Sequence, residues 1–453
     1  MTKNVLVKST SGIRGIVGNG LDETIAANYA RSFGTFVKKG KVVVGRDSRK
    51  SGEMLKDAVL SGLTEVGIDV VYLGIVPTPT VEIAVQELKA AAGICITASH
   101  NPTQWNALKF FSARGEFITS EQFEQLEMIY NSNTFSLKQN AQKGKIKKQS
   151  SWIEKHVKRT LALKGIDKAA IRKRKFKVVV DAINGAGSKA LPMLLEKLGA
   201  KVIKINCKPD GNFVHEPEPV PKNLKQLGTA VKKYKADFGL ACDPDADRLA
   251  IVDEKGRPLG EELTLAIAVR EVLRIRQGHV VINLSTSKVT TDEAIKAGSE
   301  LFYSKVGESN VVQLMHEKKA VIGGEGNGGV IYPEFHSGRD ALVAALLVLS
   351  CLAREKLKMS EFAETFNKYY TIKAKAAIAR DFAERLKKFE NDIKTFVQQP
   401  TFNNIDGLRA DFPEGWVLIR KSNTEPIFRV MVETNNEKAS LTLSKQVMEY
   451  FCG

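Results

Sequence analysis

The chain has 453 residues, 43% hydrophobic and 26% charged, with a formal net charge of +17. That length suits three or four domains of ~100–200 residues, and the composition excludes fibrous, disordered and disulfide-scaffold classes. Five scattered cysteines without a CxxC pair, an opening without an apolar signal core, and no uncharged apolar run beyond the thirteen residues 341–353 argue for a cytoplasmic protein with no membrane span.

The charge excess is local. Between residues 138 and 177, fifteen Lys and Arg face only Glu154 and Asp167, a local +13 that includes KGKIKK and RKRKFK. Only Trp152 and Phe176 interleave it, so a base-stacking nucleic-acid surface is poorly supported, and a solvated basic stretch between domains is expected.

Val- and Ile-rich runs predict strands at 41–45, 69–73, 176–180, 201–205 and 279–284, separated by helical-length stretches such as 51–66 and 188–199. Apolar strands bounded by helices predict an α/β architecture with mixed sheets covered by helices. VVVGRDSRKSG, VVVDAINGAGS and VVINLSTSKVT each give an apolar strand, a polar turn and a helix, which predicts three related α/β domains. Residues 341–353 read as a buried helix. Beyond Lys358 the chain reads as helical and charged to about residue 398. Short strands in GWVLIRKSNTEPIFRVMVET then complete a smaller α+β domain. The expected divisions are 1–150, 151–256, 257–365 and 366–453, around a central cleft.

Four segments carry chemistry. In GICITASHNP (93–102) an apolar strand ends at Ser99 beside His100, a hydroxyl and an imidazole placed for nucleophilic or phosphoryl-carrier work; no Gly-x-Ser-x-Gly elbow is present. In CDPDADR, Asp243, Asp245 and Asp247 stand at i, i+2 and i+4 between apolar runs. In extended geometry that puts three carboxylates on one side, a hard oxygen set suited to Mg²⁺. An EF-hand is excluded by Arg248 at the position that needs glycine and by strand-like flanks. In VIGGEGNGGVIYP (321–333) glycines flank Glu325 and Asn327, a carboxylate and an amide able to hold sugar hydroxyls. In IRKSNTEPIFRV (419–430), Arg420, Ser422, Asn423 and Thr424 supply a guanidinium fork, hydroxyls and an amide suited to a dianionic phosphate. The glycines at 185 and 187 imitate a dinucleotide fingerprint, but no acidic residue clearly ends the following strand, and no P-loop occurs.

Together and in this order, SGIRG (11–15), TASHNP (97–102), DPDADR (243–248), GEGNGG (324–329) and RKSNTEP (420–426) make the chain resemble the α-D-phosphohexomutase superfamily over essentially its whole length. The resemblance implies four domains about a cleft, with Ser99 as the phosphoserine. It implies Mg²⁺ held by Asp243, Asp245, Asp247 and a phosphate oxygen on Ser99, with Arg248 gripping that phosphate. Arg14, His100 and Lys109 match family positions around the reacting hydroxyl, and Lys109 is expected to transfer a proton with a pKa lowered by neighbouring cations. Glu325 and Asn327 would read the sugar, and residues 420–424 would hold the phosphate that is not reacting.

The implied reaction interconverts hexose 6- and 1-phosphates through a hexose 1,6-bisphosphate. Where several relatives have GE-x-S-G-H, this chain ends its loop in Gly329. Glu308 after Gly307 resembles the phosphoglucosamine branch, in which a carboxylate would face a 2-ammonium group. Phosphoglucosamine mutation is therefore the favoured expectation, with phosphomannomutase/phosphoglucomutase activity as the alternative. A phosphosugar is the expected partner, without nucleic acid or membrane, for a monomer or homodimer. A metal-dependent phosphatase and a basic binding protein are the competing classes.

Overall fold

The computed structural model describes residues 6–422 and 426–452, arranged on four sheets. Three sheets share one plan. In the first, Lys41–Arg46 lies parallel between Asp69–Ile75 and Ala92–Ile96, and Trp105–Ser112 closes antiparallel on Ala92–Ile96. In the second, Lys177–Asp181 takes the central place between Lys201–Ile205 and Phe238–Cys242, with Leu249–Asp253 antiparallel beyond. In the third, Val280–Asn283 lies between Leu301–Ser304 and Ile322–Glu325, and Gly329–Ile331 closes the set. The expected repeat is thus one topology used three times. Each copy places a turn at the carboxyl end of its third strand, where open α/β sheets build their sites.

The central strands are nearly continuous Val and Ile because helices cover both faces. Lys177–Asp181 and Val280–Asn283 are buried along almost their full length. Helix Ala341–Glu355 is buried on every side from Ala341 to Ala353, as its all-round apolar sequence requires. It belongs to one contiguous core that also takes Val43, Phe238 and Leu265, so the first three units are packed as a single body.

Two expectations are corrected. The basic stretch is not simply a solvated linker. It contains helices Trp152–Leu161 and Lys168–Arg174, which send Trp152, Val157 and Ile171 into the shared core while their cations point outward. Phe176 is buried as well, so both aromatics of that stretch are inside. Nor is the chain helical throughout 358–398: strand Tyr370–Ala377 lies between helices Met359–Ala363 and Phe382–Asp392. Its sequence YTIKAKAA has weak strand propensity, but an eight-residue antiparallel register with Ile427–Thr434 overrides it.

The fourth sheet is wholly antiparallel, in the order Tyr370–Ala377, Ile427–Thr434, Gly415–Lys421, Leu408–Phe412, Thr401–Asn403. Among the described residues no helix is long and apolar enough to cross a membrane.

Candidate active site

Strand Ala92–Ile96 ends in a turn where Ser99 adopts φ +47°, a left-handed value that a serine keeps only when its surroundings over-determine it. Ser99 N–H donates to Thr97 Oγ1 (2.9 Å), and Thr97 Oγ1 donates to Asp47 Oδ2 (2.6 Å). Asp47 pairs with Arg49 (3.0 Å), whose guanidinium donates to the carbonyls of Ser99 and Asn101 (2.6 Å each) and of Pro102 (2.8 Å) and Trp105 (3.0 Å). Both members of the pair are buried. Sequence reading missed this brace. Its signal was GRDSRKSG, where an acid and a base directly follow a buried strand.

Between Phe238–Cys242 and Leu249–Asp253 the aspartate segment forms a turn, not extended chain. Ala246 sits at φ +53° and its N–H closes on the Asp243 carbonyl at 3.0 Å. The carboxylates therefore converge through the turn, where strand spacing had been expected to align them. All three are buried, with candidate ligand oxygens within 4.8 Å of one another. Asp243 Oδ2 accepts from Ser99 Oγ at 2.8 Å, and its Oδ1 accepts from the N–H groups of Asp247 and Arg248 at 3.2 Å. Asp245 Oδ2 accepts from Thr78 Oγ1 and Lys109 Nζ, each at 2.7 Å.

Asp245 Oδ1 and Asp247 Oδ1 are buried with no hydrogen-bond partner. Burial, then Asp247 and Asp245, pushes the Asp243 carboxyl well above the usual carboxylate range. Orphaned buried oxygens and mutual repulsion both fit a hard divalent cation. Glu254, which stands where an EF-hand begun at Asp243 would place its twelfth-position carboxylate, instead accepts from Ser360 Oγ at 2.5 Å. The glycine turn 185–187 supports this loop: Ala186 N–H donates to Pro244 O at 2.7 Å, and a Cβ on Gly187 would stand 2.5 Å from Cys242 Sγ.

Cations ring the serine and the aspartates. Arg14 Nη1 donates to Asn101 Oδ1 at 2.6 Å, and burial together with Arg248 lowers its pKa. His100 Nδ1 stands 3.3 Å from Ser99 Oγ; burial, Arg248 and Arg14 hold the imidazole well below its ordinary value, hence neutral. Arg248 Nε is buried without a hydrogen-bond partner, a donor suited to an anion. Lys109 differs from expectation. Burial lowers its pKa, but Asp245 at 2.7 Å and Asp247 at 3.5 Å outweigh burial, and the net shift is upward. Its nearest partners are acids, not the cations that were expected to depress it.

Glu308 opens helix Glu308–Lys318 and is buried, and its Oε1 accepts from Arg339 N–H at 2.8 Å. Glu325 Oε1 accepts from Asn283 Nδ2 (2.8 Å) and Gly307 N–H (3.1 Å). Its Oε2 accepts from Arg339 Nη1 (2.7 Å) and Asn327 Nδ2 (3.3 Å). Arg339, absent from the sequence reading, also donates from Nη2 to Asp247 Oδ2 at 2.5 Å. The HSGRDA segment gave its only signal, an arginine beside the Asp340 that caps the buried helix.

Arg420 pairs with Asp406 at 3.2 Å and keeps a buried, unbonded Nε. Asp406 in turn accepts from Val306 N–H at 3.0 Å, beside Gly307, which donates to Glu325. Ser422 N–H donates to Ile427 O at 2.8 Å. Asn423 and Thr424 lie outside the described residues. Ser99, His100, Lys109 and the three aspartates are thus brought into one contact network, Arg14 bonds the Ser99 loop, and Arg339 joins Asp247 to Glu308 and Glu325.

Four family models match in tandem, described as phosphoglucomutase/phosphomannomutase alpha/beta/alpha domains I (residues 6–137), II (154–256) and III (260–369) and the C-terminal domain (370–449). A Thermococcus kodakarensis protein named phosphoglucomutase/phosphomannomutase is 38% identical over 444 residues, covering 95% of this chain and 94% of its own. A Methanopyrus kandleri protein named probable phosphoglucosamine mutase is 34% identical over 450 residues, covering 97% and 96%. The crystal structure of a Burkholderia thailandensis phosphoglucomutase/phosphomannomutase family protein superposes with a TM-score of 0.85 at 27% identity, covering 98% of this chain and 96% of that one. With its domains in this order and its site loops at the ends of the repeated sheets, the chain belongs to the phosphoglucomutase/phosphomannomutase family.

Proposed function

We propose that the protein is a phosphohexomutase that interconverts glucosamine 6-phosphate and glucosamine 1-phosphate through phospho-Ser99 and a 1,6-bisphosphate. The observation that carries the reading is the Ser99 hydroxyl, 2.8 Å from Asp243 Oδ2, among buried aspartates with orphaned oxygens. Mg²⁺ on Asp243, Asp245 and Asp247 would neutralise charge on the transferring phosphoryl group. Arg248 and Arg14 hold that group's oxygens. Lys109, kept charged by Asp245, adds a fixed cation beside them, and neutral His100 is the group able to take a proton near Ser99.

The free hydroxyl of a hexose monophosphate attacks the phosphorus of phospho-Ser99, its proton passing by way of His100 to Ser99 Oγ as the P–O bond there breaks, leaving a bisphosphate. After the bisphosphate turns over in the cleft, Ser99 Oγ attacks the phosphorus of the other phosphate, the sugar O–P bond breaks, and the Ser99 proton passes by way of His100 to the freed sugar oxygen. Glu325 and Asn327 orient the sugar, and residues 420–424 grip the idle phosphate in either orientation. Family membership suits a small phosphosugar substrate, turned over in the cytoplasm.

A second reading is phosphomannomutase/phosphoglucomutase activity. It is favoured by Glu308, whose Oε1 is already engaged by Arg339 and so is less able to meet a 2-ammonium group, and by the name of the Thermococcus relative. The test is a Mg²⁺-dependent mutase assay on glucosamine, mannose and glucose phosphates with a bisphosphate primer. Preference for glucosamine phosphate, lost in Ser99→Ala by at least ~10³-fold, supports the first reading. Equal or better turnover of mannose and glucose phosphates supports the second, and release of inorganic phosphate would replace both with a phosphatase.

A further inference from the structure

Arg339 lies between two loops that the proposed reaction uses for different purposes. One Nη donates to Asp247 of the metal loop at 2.5 Å, the other to Glu325 of the sugar loop at 2.7 Å, and Nε stands 3.1 Å from Glu308 Oε2. The side chain is buried, so these contacts are little screened by water. Its backbone is fixed from both directions. Arg339 N–H donates to Glu308, and the next two residues donate to Val330 O at 3.0 Å and Ala246 O at 3.2 Å.

Space for the guanidinium is made by a glycine. A Cβ on Gly329 would stand 2.2 Å from Arg339 Cδ and 3.0 Å from Asn327 Oδ1. The loop that ends in Gly329 and the arginine ten residues later are therefore one device: the missing side chain admits a cation whose fork reaches carboxylates on two loops. A lysine has one point charge and cannot hold two divergent carboxylates in the same way.

We infer that Arg339 is a positioning residue that couples the metal loop to the sugar loop. It holds Glu325 ready for the sugar, and from Asp247 Oδ2 it draws on the negative charge that a divalent cation would meet at the orphaned Oδ1. The inference rests on the reading of Asp243, Asp245 and Asp247 as metal ligands and of Glu325 as the sugar contact. It sets two effects against each other. Losing the cation should tighten divalent binding, because Asp247 is freed and a nearby positive charge is gone, while sugar binding weakens because Glu325 is released.

The test is Mn²⁺ binding followed by electron paramagnetic resonance, and glucosamine 6-phosphate binding followed by calorimetry. Both are measured on the wild type, Arg339→Gln, Arg339→Lys and Gly329→Ala, with circular dichroism and melting to establish folding. Arg339→Gln is expected to bind Mn²⁺ about tenfold tighter and the sugar phosphate about tenfold weaker. Gly329→Ala, which leaves the arginine in the sequence but takes its space, should reproduce both shifts. Arg339→Lys should restore the Mn²⁺ affinity but only part of the sugar affinity. Folded variants in which both ligands weaken together, or neither changes, would overturn the inference. If wild-type protein turns over no hexose phosphate while the opposed shifts persist, the mutase reading fails and the coupling stands.

Discussion

In the first three domains the site loops spring from the carboxyl ends of parallel strands, and one core joins helices from all three, whereas the fourth domain closes its own core around Phe382, Phe389, Phe428 and Phe451. It meets the third domain through Leu284, Trp416 and Leu418, with Glu433 Oε1 accepting from both Lys288 N–H (2.7 Å) and Trp416 Nε1 (2.8 Å). The groups proposed for chemistry, Ser99, Lys109 and the aspartates, sit on the shared body. The groups proposed to grip the idle phosphate sit on the separately cored one. The proposed turnover of the sugar between two transfers calls for a fixed reaction centre and a grip able to let go and close again, and this division of cores suits that proposal.

Breaking the shared body should have the largest effect. Asp340 caps helix Ala341–Glu355 through Leu342 and Val343 N–H, and it also accepts from His156 Nε2 (2.8 Å) and His336 Nε2 (3.0 Å). These contacts tie the basic-stretch helix to the third domain. Asp340→Asn is expected to destabilise the protein by about 3 kcal/mol in denaturant unfolding, because it unbalances a buried charged cluster. A change at the fourth domain's surface should leave that transition in place.

Next in size is Lys109→Met, which strips Asp245 of its cation. Turnover should fall about a hundredfold, and the wild-type pH–rate profile should show no step from Lys109 between about pH 6 and 10, because its amine titrates above its ordinary value. A wild-type step in that range abolished by Lys109→Met would restore the proton-transfer role first expected.

Arg420→Ala addresses the other side of the comparison. It would remove the proposed phosphate donor from the separately cored domain, so KM should rise about tenfold while kcat and the main unfolding transition change little. A larger loss of kcat than of KM would place Arg420 with the reacting groups.

The smallest effect is a pH slope. His336 loses basicity on burial, but the hydrogen bond to Asp340 and the Glu82 carboxylate 3.1 Å from Nδ1 raise it to about 9; burial raises Glu82 to about 7. Both folded values lie above the unfolded ones, so the folded protein binds more protons. The His336 contribution is full below about pH 6.5 and is lost as pH rises through about 9. The melting temperature should fall gradually from pH 7 to 9, and His336→Gln should flatten that slope.

The three-fold repeat, the buried helix and the residues at the strand ends were legible because period, composition and motif order agree there. Strand Tyr370–Ala377 was hidden by alternating Lys and Ala that only pairing with Ile427–Thr434 makes extended. The aspartates were found by type, but their convergence depends on the left-handed turn at Ala246, which no spacing rule shows. Asp47, Arg49 and Arg339 escaped because telling partners lie far off in sequence: Thr97 is 50 residues from Asp47, Ser99 is 50 from Arg49, and Asp247 is 92 from Arg339.

The most direct test of Ser99 as phosphoryl carrier is peptide mass mapping after incubation with Mg²⁺ and glucosamine 1,6-bisphosphate. The expected result is one phosphate on Ser99 that passes to added glucosamine 6-phosphate. A phosphate on any other residue, or its discharge as inorganic phosphate in the presence of sugar, would contradict the account.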